Sequence, residues 1–207
     1  MIQAELERFR VVRARTLALI NGLTQAQMNH APASGKWSVG EVADHLLLAE
    51  KLFREQIDEL IALRVSGREP ALNRTFADID ISLAFVPKSL LPLLELPMTV
   101  MNLFVPRALR EVMMRYRIAP AERPDAAAPR RGRDAEALRA ELSASLRKTE
   151  SLLSAHSGLD YLAMIVRHPL LGKNNAPQLL GLMALHEERH QAQILDALAD
   201  SCFPQPA

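Results

Sequence analysis

The sequence predicts an all-α protein built as a four-helix bundle, and three observations lead to that prediction. Apolar residues make up 49% of the chain and aromatic residues only 4%, so the core must be built from aliphatic side chains. Four long segments repeat apolar side chains at the spacing of a helix, and strand-like alternation is nearly absent. With 207 residues, the chain can bury roughly 70% of its unfolded surface without a disulfide. We therefore expect one domain over residues 1–207.

The first two predicted helices are defined by an apolar stripe and by capping residues. Residues 2–21 carry a stripe with a period near 3.6, and Asn21-Gly22 ends it because both residues tolerate the left-handed cap conformation. Ser38 and Glu41 form a capping box that starts the second helix, which is predicted to run to about Leu63. The inward stripe of this helix contains one histidine among apolar residues, namely Val42, His45, Leu46, Ala49, Phe53, Ile57 and Leu60.

Between the second and third helices, residues 68–133 form a long insertion without a clear helical pattern. Residues 81–105 are strongly apolar but are interrupted by Pro87, Lys88, Pro92, Glu95 and Pro97. A membrane span needs about 20 uninterrupted apolar residues, so we expect no transmembrane segment. A buried insertion or a dimer contact is the preferred interpretation, and a surface-lying amphipathic segment is the alternative. Residues 119–133, rich in Ala, Pro and Arg, predict an exposed and mobile linker.

The last two helices are also marked at their ends. Asp134 caps a third helix that carries leucines on one face and ends near His156 and Gly158. The fourth helix starts near Asn175 and runs to about Ala199. Its early proline, Pro177, occupies a position where the missing N–H costs nothing.

Charge and cysteine content exclude several classes of protein. The formal net charge of +1 gives no reason to expect a nucleic acid or an anionic membrane as partner. The single cysteine, Cys202, excludes a disulfide framework, a cysteine zinc finger and a cysteine-ligated iron–sulfur cluster. The amino-terminal residues include acids where a secretion signal would be basic, so a cytoplasmic location is expected.

The candidate chemistry lies in three histidines. His186 and His190 are four residues apart on the apolar face of the last helix, and His45 lies on the inward stripe of the second. Three inward imidazoles are the ligand set of an open divalent-metal site, and zinc, nickel and iron(II) all accept them. The pattern alone leaves open the alternative of hydrogen-bonded core histidines. The remaining histidines are predicted to be non-ligands, namely His30, His156 and His168.

Residues 186–190 also match the His-Glu-x-x-His pattern of zinc peptidases, with Glu187 as the would-be general base. The match is incomplete, because the chain after His190 contains neither Glu nor His. Glu187 and Asp44 are the candidate bases, and we expect both at the surface, with a second role for Asp44 in orienting an imidazole. Gln193 is predicted to orient a ligand or a bound group. No catalytic residue is assigned.

Two blocks of the sequence resemble the DinB-like family, also described as DinB/YfiT-like metal enzymes. One is residues 37–46, WSVGEVADHL; the other is HPLLG at 168–172 followed by HEERHQAQI at 186–194. The resemblance implies a four-helix bundle, commonly a homodimer, with a divalent metal held by His45, His186 and His190. Characterised relatives include S-transferases and an isomerase that use thiols such as bacillithiol or mycothiol. The insertion at 68–133 departs from that pattern.

Two hypotheses for the function follow. The first is a divalent-metal-dependent enzyme, with zinc or nickel preferred over iron, that activates a low-molecular-weight thiol or water against a small-molecule substrate. It is thus a transferase or a hydrolase. The second is a non-catalytic bundle that binds a metal or an apolar ligand and acts as a stress or interaction module. The enzyme requires an open metal position, whereas binding of an apolar ligand should survive His45→Ala.

Overall fold

The computed structural model describes residues 1–75, 78, 81–83, 121–124, 127–169 and 171–205. The helices are α1 (Ile2–Ile20), α2 (Gln25–Met28), α3 (Val39–Val65), α4 (Ala135–Ala155) and α5 (Ala176–Leu198). The strands are β1 (Ala71–Asn73), β2 (Ile81–Leu83), β3 (Ala121–Pro124), β4 (Ile165–His168) and β5 (Gly172–Asn175). The described part of the chain is therefore mostly helical, as the sequence predicts.

The starts of α3, α4 and α5 lie where the capping residues predict them, whereas at the end of α1 Asn21 is extended and only Gly22 has the left-handed conformation. The Ser38 hydroxyl accepts a hydrogen bond from the Glu41 amide at 3.1 Å, and the Glu41 carboxylate accepts one from the Ser38 amide at 2.9 Å. Asp134 caps α4, and Asn175 caps α5 with Pro177 in its first turn. The short α2 was not predicted, although its capping box of Thr24 and Gln27 is the same local signal.

The four long helices pack against one another around two apolar clusters. Helix α1 packs on α5 and α4, and α3 also packs on both. The first cluster contains residues of α5 up to Ala184, and the second contains Ile194 and Ala197. His186 and His190 therefore lie between the two clusters. The candidate site is thus set into a polar layer that crosses the protein interior.

The prediction of an all-α protein is wrong in one respect, because the structure contains a small sheet in the order β1-β4-β5. Strand β1 pairs with β4 in parallel, with Leu72 opposite Val166, and β4 pairs with β5 antiparallel. Each strand has only three or four residues, too few for alternation to stand out in the sequence. The β1–β4 pairing also joins distant parts of the chain, which local patterns do not reveal.

The insertion is described only in part. Strand β2 pairs antiparallel with β3, with Ile81 opposite Pro124. Except for the backbone of 81–83, the apolar segment at 81–105 lies outside the described residues. The predicted mobile linker at 119–133 is corrected: it contains β3, the buried Ala127, and arginines that bind carboxylates of α3. Within the described residues, no helix is both long enough and apolar enough to cross a membrane.

Candidate metal centre

Three histidines converge where α3 crosses α5. His45 comes from the second turn of α3, and His186 and His190 come from successive turns of α5. The His186 Nε2 atom lies 3.2 Å from the Nε2 atoms of both His45 and His190. One potential ligand atom from each ring lies within 4.8 Å of the others, so the cluster could hold a metal ion. The sequence thus predicted correctly which histidines come together.

The surroundings of the cluster favour a neutral imidazole at His186, the form that binds metals. His45 and His190 are buried, at 3% and 2% exposure, and His186 is partly buried. Burial, followed by the neighbouring His190 and His45, holds the pKa of His186 well below its usual value. Protons therefore compete weakly with a metal for this ring at neutral pH.

Hydrogen bonds at the outer nitrogens direct two of the rings into the site. The His45 Nδ1 atom lies 2.7 Å from the Ala127 carbonyl oxygen, and the His190 Nδ1 atom lies 2.7 Å from the Gln193 side-chain oxygen. Because both oxygens can only accept, each Nδ1 carries the proton and each Nε2 keeps its lone pair. This arrangement is typical of metal-binding histidines. Gln193 therefore orients His190, a more specific role than the sequence predicted.

Arg189 and Trp37 also contact the cluster. The Arg189 Nη2 atom lies 3.1 Å from His190 Nε2, and a guanidinium can only donate, so Nε2 carries a lone pair and not a proton. Arg189 occupies that lone pair, so a metal could bind there only after this hydrogen bond is broken. The Trp37 ring lies nearly parallel to His190, at 17° and 5.9 Å between centroids, and 4.8 Å from the centroid of His45. Trp37 thus packs on two of the three imidazoles and restricts their rotation.

The expectation that Glu187 faces solvent is wrong, because its carboxylate is 2% exposed and is bound by a buried arginine. Arg13 Nε and Nη2 each donate to one Glu187 oxygen at 2.8 Å. Burial opposes ionisation of Arg13, but the charges of Glu187 and Glu50 prevail and raise the pKa of the guanidinium above its usual value. Both Glu187 oxygens are thus engaged, which argues against the peptidase interpretation of the motif.

Arg13, Glu50 and Glu187 form a buried network that links all four long helices next to the histidines. Arg13 of α1 also donates to the Leu142 carbonyl of α4 at 2.7 Å and lies 3.0 Å from Glu50 of α3. Glu50 in turn accepts a hydrogen bond from Thr149 of α4 at 2.9 Å. The network fixes α3 and α5 relative to each other, and therefore fixes the distance between His45 and the α5 histidines.

A small cavity adjoins His186 on the side of this network. Its volume is about 10 Å³, room for a single water molecule. Its walls combine the carboxylates with apolar side chains and are formed by Phe9, Leu46, Glu50, Phe53, Met183, His186 and Glu187.

Asp44 is also buried, at 0% exposure, and not at the surface as expected. Its carboxylate binds Arg130 and Arg133 at 2.8 Å each. Burial opposes ionisation, but these hydrogen bonds outweigh it and hold the pKa of Asp44 below its usual value. Asp44 therefore serves as an anchor for arginines, and among the described residues its hydrogen bonds go to these arginines and not to an imidazole.

The three remaining histidines lie outside the cluster. His30 contacts Asp200 at 2.7 Å, and His156 caps the end of α4. The His168 Nδ1 atom accepts a hydrogen bond from the Leu171 amide, and burial together with Arg74 lowers the pKa of His168 to about 4. None of these rings belongs to the metal-type cluster found among the described residues.

The fold and the site together define a class: mostly helical proteins in which three histidines from two helices form a candidate metal site. Within that class, the family model of the DinB superfamily matches residues 8–194. The chain therefore belongs to the DinB superfamily, which confirms the resemblance found in the sequence. Searches of curated proteins and of solved structures returned no match.

Proposed function

We propose that this protein is a divalent-metal-dependent enzyme in which His45, His186 and His190 bind the metal. The observation that carries the proposal is the convergence of three Nε2 atoms, two of which have their lone pairs directed inward by hydrogen bonds at Nδ1. Imidazole donors suit zinc, nickel and iron(II), and we favour zinc or nickel.

Three protein ligands are typical of catalytic rather than structural sites, because they leave a position for substrate or water. A bound divalent ion would supply Lewis acidity and lower the pKa of a thiol or water. The chain itself contributes rigidity: Gln193 and the Ala127 carbonyl orient two rings, and the Arg13–Glu187 pair sets the helix spacing. Preorganised ligands of this kind lower the cost of arranging the site for reaction.

The reaction that we propose is transfer of a low-molecular-weight thiol to an electrophilic small molecule, with hydrolysis as the second possibility. Membership of the DinB superfamily supports this assignment. The cavity beside His186 has room for a single water molecule, so it supports the second possibility, hydrolysis, and not thiol transfer. Glu187 is not proposed as the base, because both of its oxygens bind Arg13.

Three broader features belong to the same proposal. The contacts of α1, α3, α4 and α5 support a four-helix bundle. A homodimer is proposed from the family resemblance, and light scattering coupled to size exclusion tests it.

A cytoplasmic location fits the proposed cosubstrate, because the cytoplasm keeps thiols reduced.

The test compares the protein loaded with zinc, nickel or iron(II) with its His45→Ala variant. Loss of free thiol is followed with bacillithiol or mycothiol and a chlorinated nitroarene, and hydrolysis is followed with a nitrophenyl ester. His156→Ala is the matched control, since this histidine lies at the end of α4. We expect activity in the wild type and the control but not in His45→Ala. Equal rates in all three would contradict the proposal, and stoichiometric metal without either activity would support the non-catalytic alternative.

A further inference from the structure

The segment at residues 127–133 is bound to the first two turns of α3 through a buried carboxylate. The Arg130 backbone amide and side chain both donate to Asp44, at 2.8 Å to Oδ2 and 2.8 Å to Oδ1. Arg133 donates to the same Oδ1 at 2.8 Å and to Glu141 of α4 at 2.5 Å. Asp44 is completely buried, whereas the Arg130 side chain is 59% exposed, so these hydrogen bonds tie the segment to a carboxylate of the interior.

The same segment supplies the acceptor that orients His45. Ala127 is 1% exposed, and its carbonyl lies 2.7 Å from His45 Nδ1. Only two residues separate Ala127 from Arg130, and Asp44 immediately precedes His45. The Asp44–Arg130 contact therefore keeps the Ala127 carbonyl close to His45, because Asp44 is the chain neighbour of His45 and Arg130 is close in the chain to Ala127.

We propose that Asp44 and Arg130 are positioning residues for the metal centre, holding the Ala127 carbonyl against His45 and thereby setting the affinity of the site for its metal. This inference rests on the proposed metal-binding function. Without the carbonyl, the His45 ring is free to rotate or to carry its proton on Nε2, and neither form binds the metal. The apparent affinity falls in proportion to the fraction of rings that keep the binding form.

The neighbouring Glu41–Arg131 pair provides a matched control. Arg131 Nε donates to Glu41 Oε1 at 2.9 Å, so it also joins this segment to α3. The Arg131 side chain is 80% exposed, however, and Glu41 is held independently by the capping box. Arg131→Ala therefore removes an arginine of the same segment without releasing Asp44.

The experiment measures zinc affinity of the full chain by competition with a chromophoric chelator, for the wild type, Asp44→Asn, Arg130→Ala, Arg130→Lys and Arg131→Ala. Loss of groups that orient metal-binding histidines typically weakens binding about 10- to 100-fold. We expect a loss of this size in Asp44→Asn and a smaller loss in Arg130→Ala, because the Arg130 amide still donates to Asp44. Arg130→Lys should recover part of the zinc affinity that Arg130→Ala loses. In Arg131→Ala the zinc affinity should change less than about 3-fold.

A nitrogen-15 NMR measurement on the metal-free protein separates positioning from general stability. The Nδ1–H signal of His45, assigned by its absence in His45→Ala, should be slow to exchange in the wild type and in Arg131→Ala. It should broaden or vanish in Asp44→Asn and Arg130→Ala while these variants remain folded by circular dichroism. If Asp44→Asn does not fold, the Arg130 variants provide the test.

The outcomes distinguish the two proposals. Wild-type zinc affinity together with an unchanged His45 signal in the Asp44 and Arg130 variants would overturn the positioning role and leave the metal site standing. A wild-type protein that binds no zinc, nickel or iron(II) would overturn both proposals.

Discussion

Loss of the buried ion pair between Arg13 and Glu187 should destabilise the protein strongly. Both side chains are almost inaccessible, at 0% and 2% exposure, and two hydrogen bonds of 2.8 Å join them. Arg13→Met keeps an unbranched apolar stem but leaves the Glu187 carboxylate in the interior without its cation, while Glu50 keeps its ion pair with Arg54. Breaking a buried pair in this way costs about 3–5 kcal/mol.

Urea unfolding followed by circular dichroism at pH 7 measures this loss of free energy, and thermal unfolding followed by the same signal measures the fall in Tm. For a chain of this size, each kcal/mol lowers Tm by about 2–4 °C, so we expect a fall of roughly 6–20 °C. Arg8→Met is the control, because Arg8 binds Glu188 between the same two helices but the pair is 41% and 33% exposed. It should cost less than about 1 kcal/mol. The reasoning is refuted if Arg13→Met is no more destabilising than Arg8→Met.

Three further predictions concern the site and the start of α3. Gln193→Ala should weaken zinc binding about 10- to 100-fold, because it removes the acceptor at His190 Nδ1; an unchanged chelator competition curve would refute this. Ser38→Ala should lower the free energy of unfolding by about 1 kcal/mol through loss of the α3 cap, and an effect below about 0.3 kcal/mol in urea would contradict it. Glu41 bears on acid stability: burial raises its pKa, but the Ser38 and Arg131 hydrogen bonds prevail and lower it below its ordinary 4.5. The ionised Glu41 therefore stabilises the protein fully above pH 4.5, and this stabilisation disappears as the pH falls through the lowered pKa. The difference in free energy of unfolding between the wild type and Glu41→Gln should therefore shrink in acid, and a difference that grows would contradict this.

The helices could be predicted because their signals are local. Apolar spacing and the capping residues Ser38, Asp134 and Asn175 lie within a few positions of the elements they define. The same spacing placed His45, His186 and His190 on inward faces, and helix packing brought them together. Arg13 could have been found in the same way, since it lies four residues after Phe9 and three before Thr16 on the buried stripe of α1.

The rest of the site depends on contacts that composition does not encode. The role of the Ala127 carbonyl has no sequence signature, because every residue has a backbone carbonyl. Residues 119–133 have the composition of a solvated linker, yet Arg130 and Arg133 are fixed by a carboxylate that lies on a distant helix. Glu187 was misplaced for a related reason: its partner Arg13 lies near the other end of the chain and makes burial of the charge tolerable.

Metal content tests the central claim most directly. The protein is purified without an affinity tag and analysed by mass spectrometry beside His45→Ala, His190→Ala and the control His156→Ala. We predict about one divalent ion per chain in the wild type and in His156→Ala, and its loss in the other two variants. A wild-type protein that contains no metal and takes up none from added zinc, nickel or iron(II) would contradict the account.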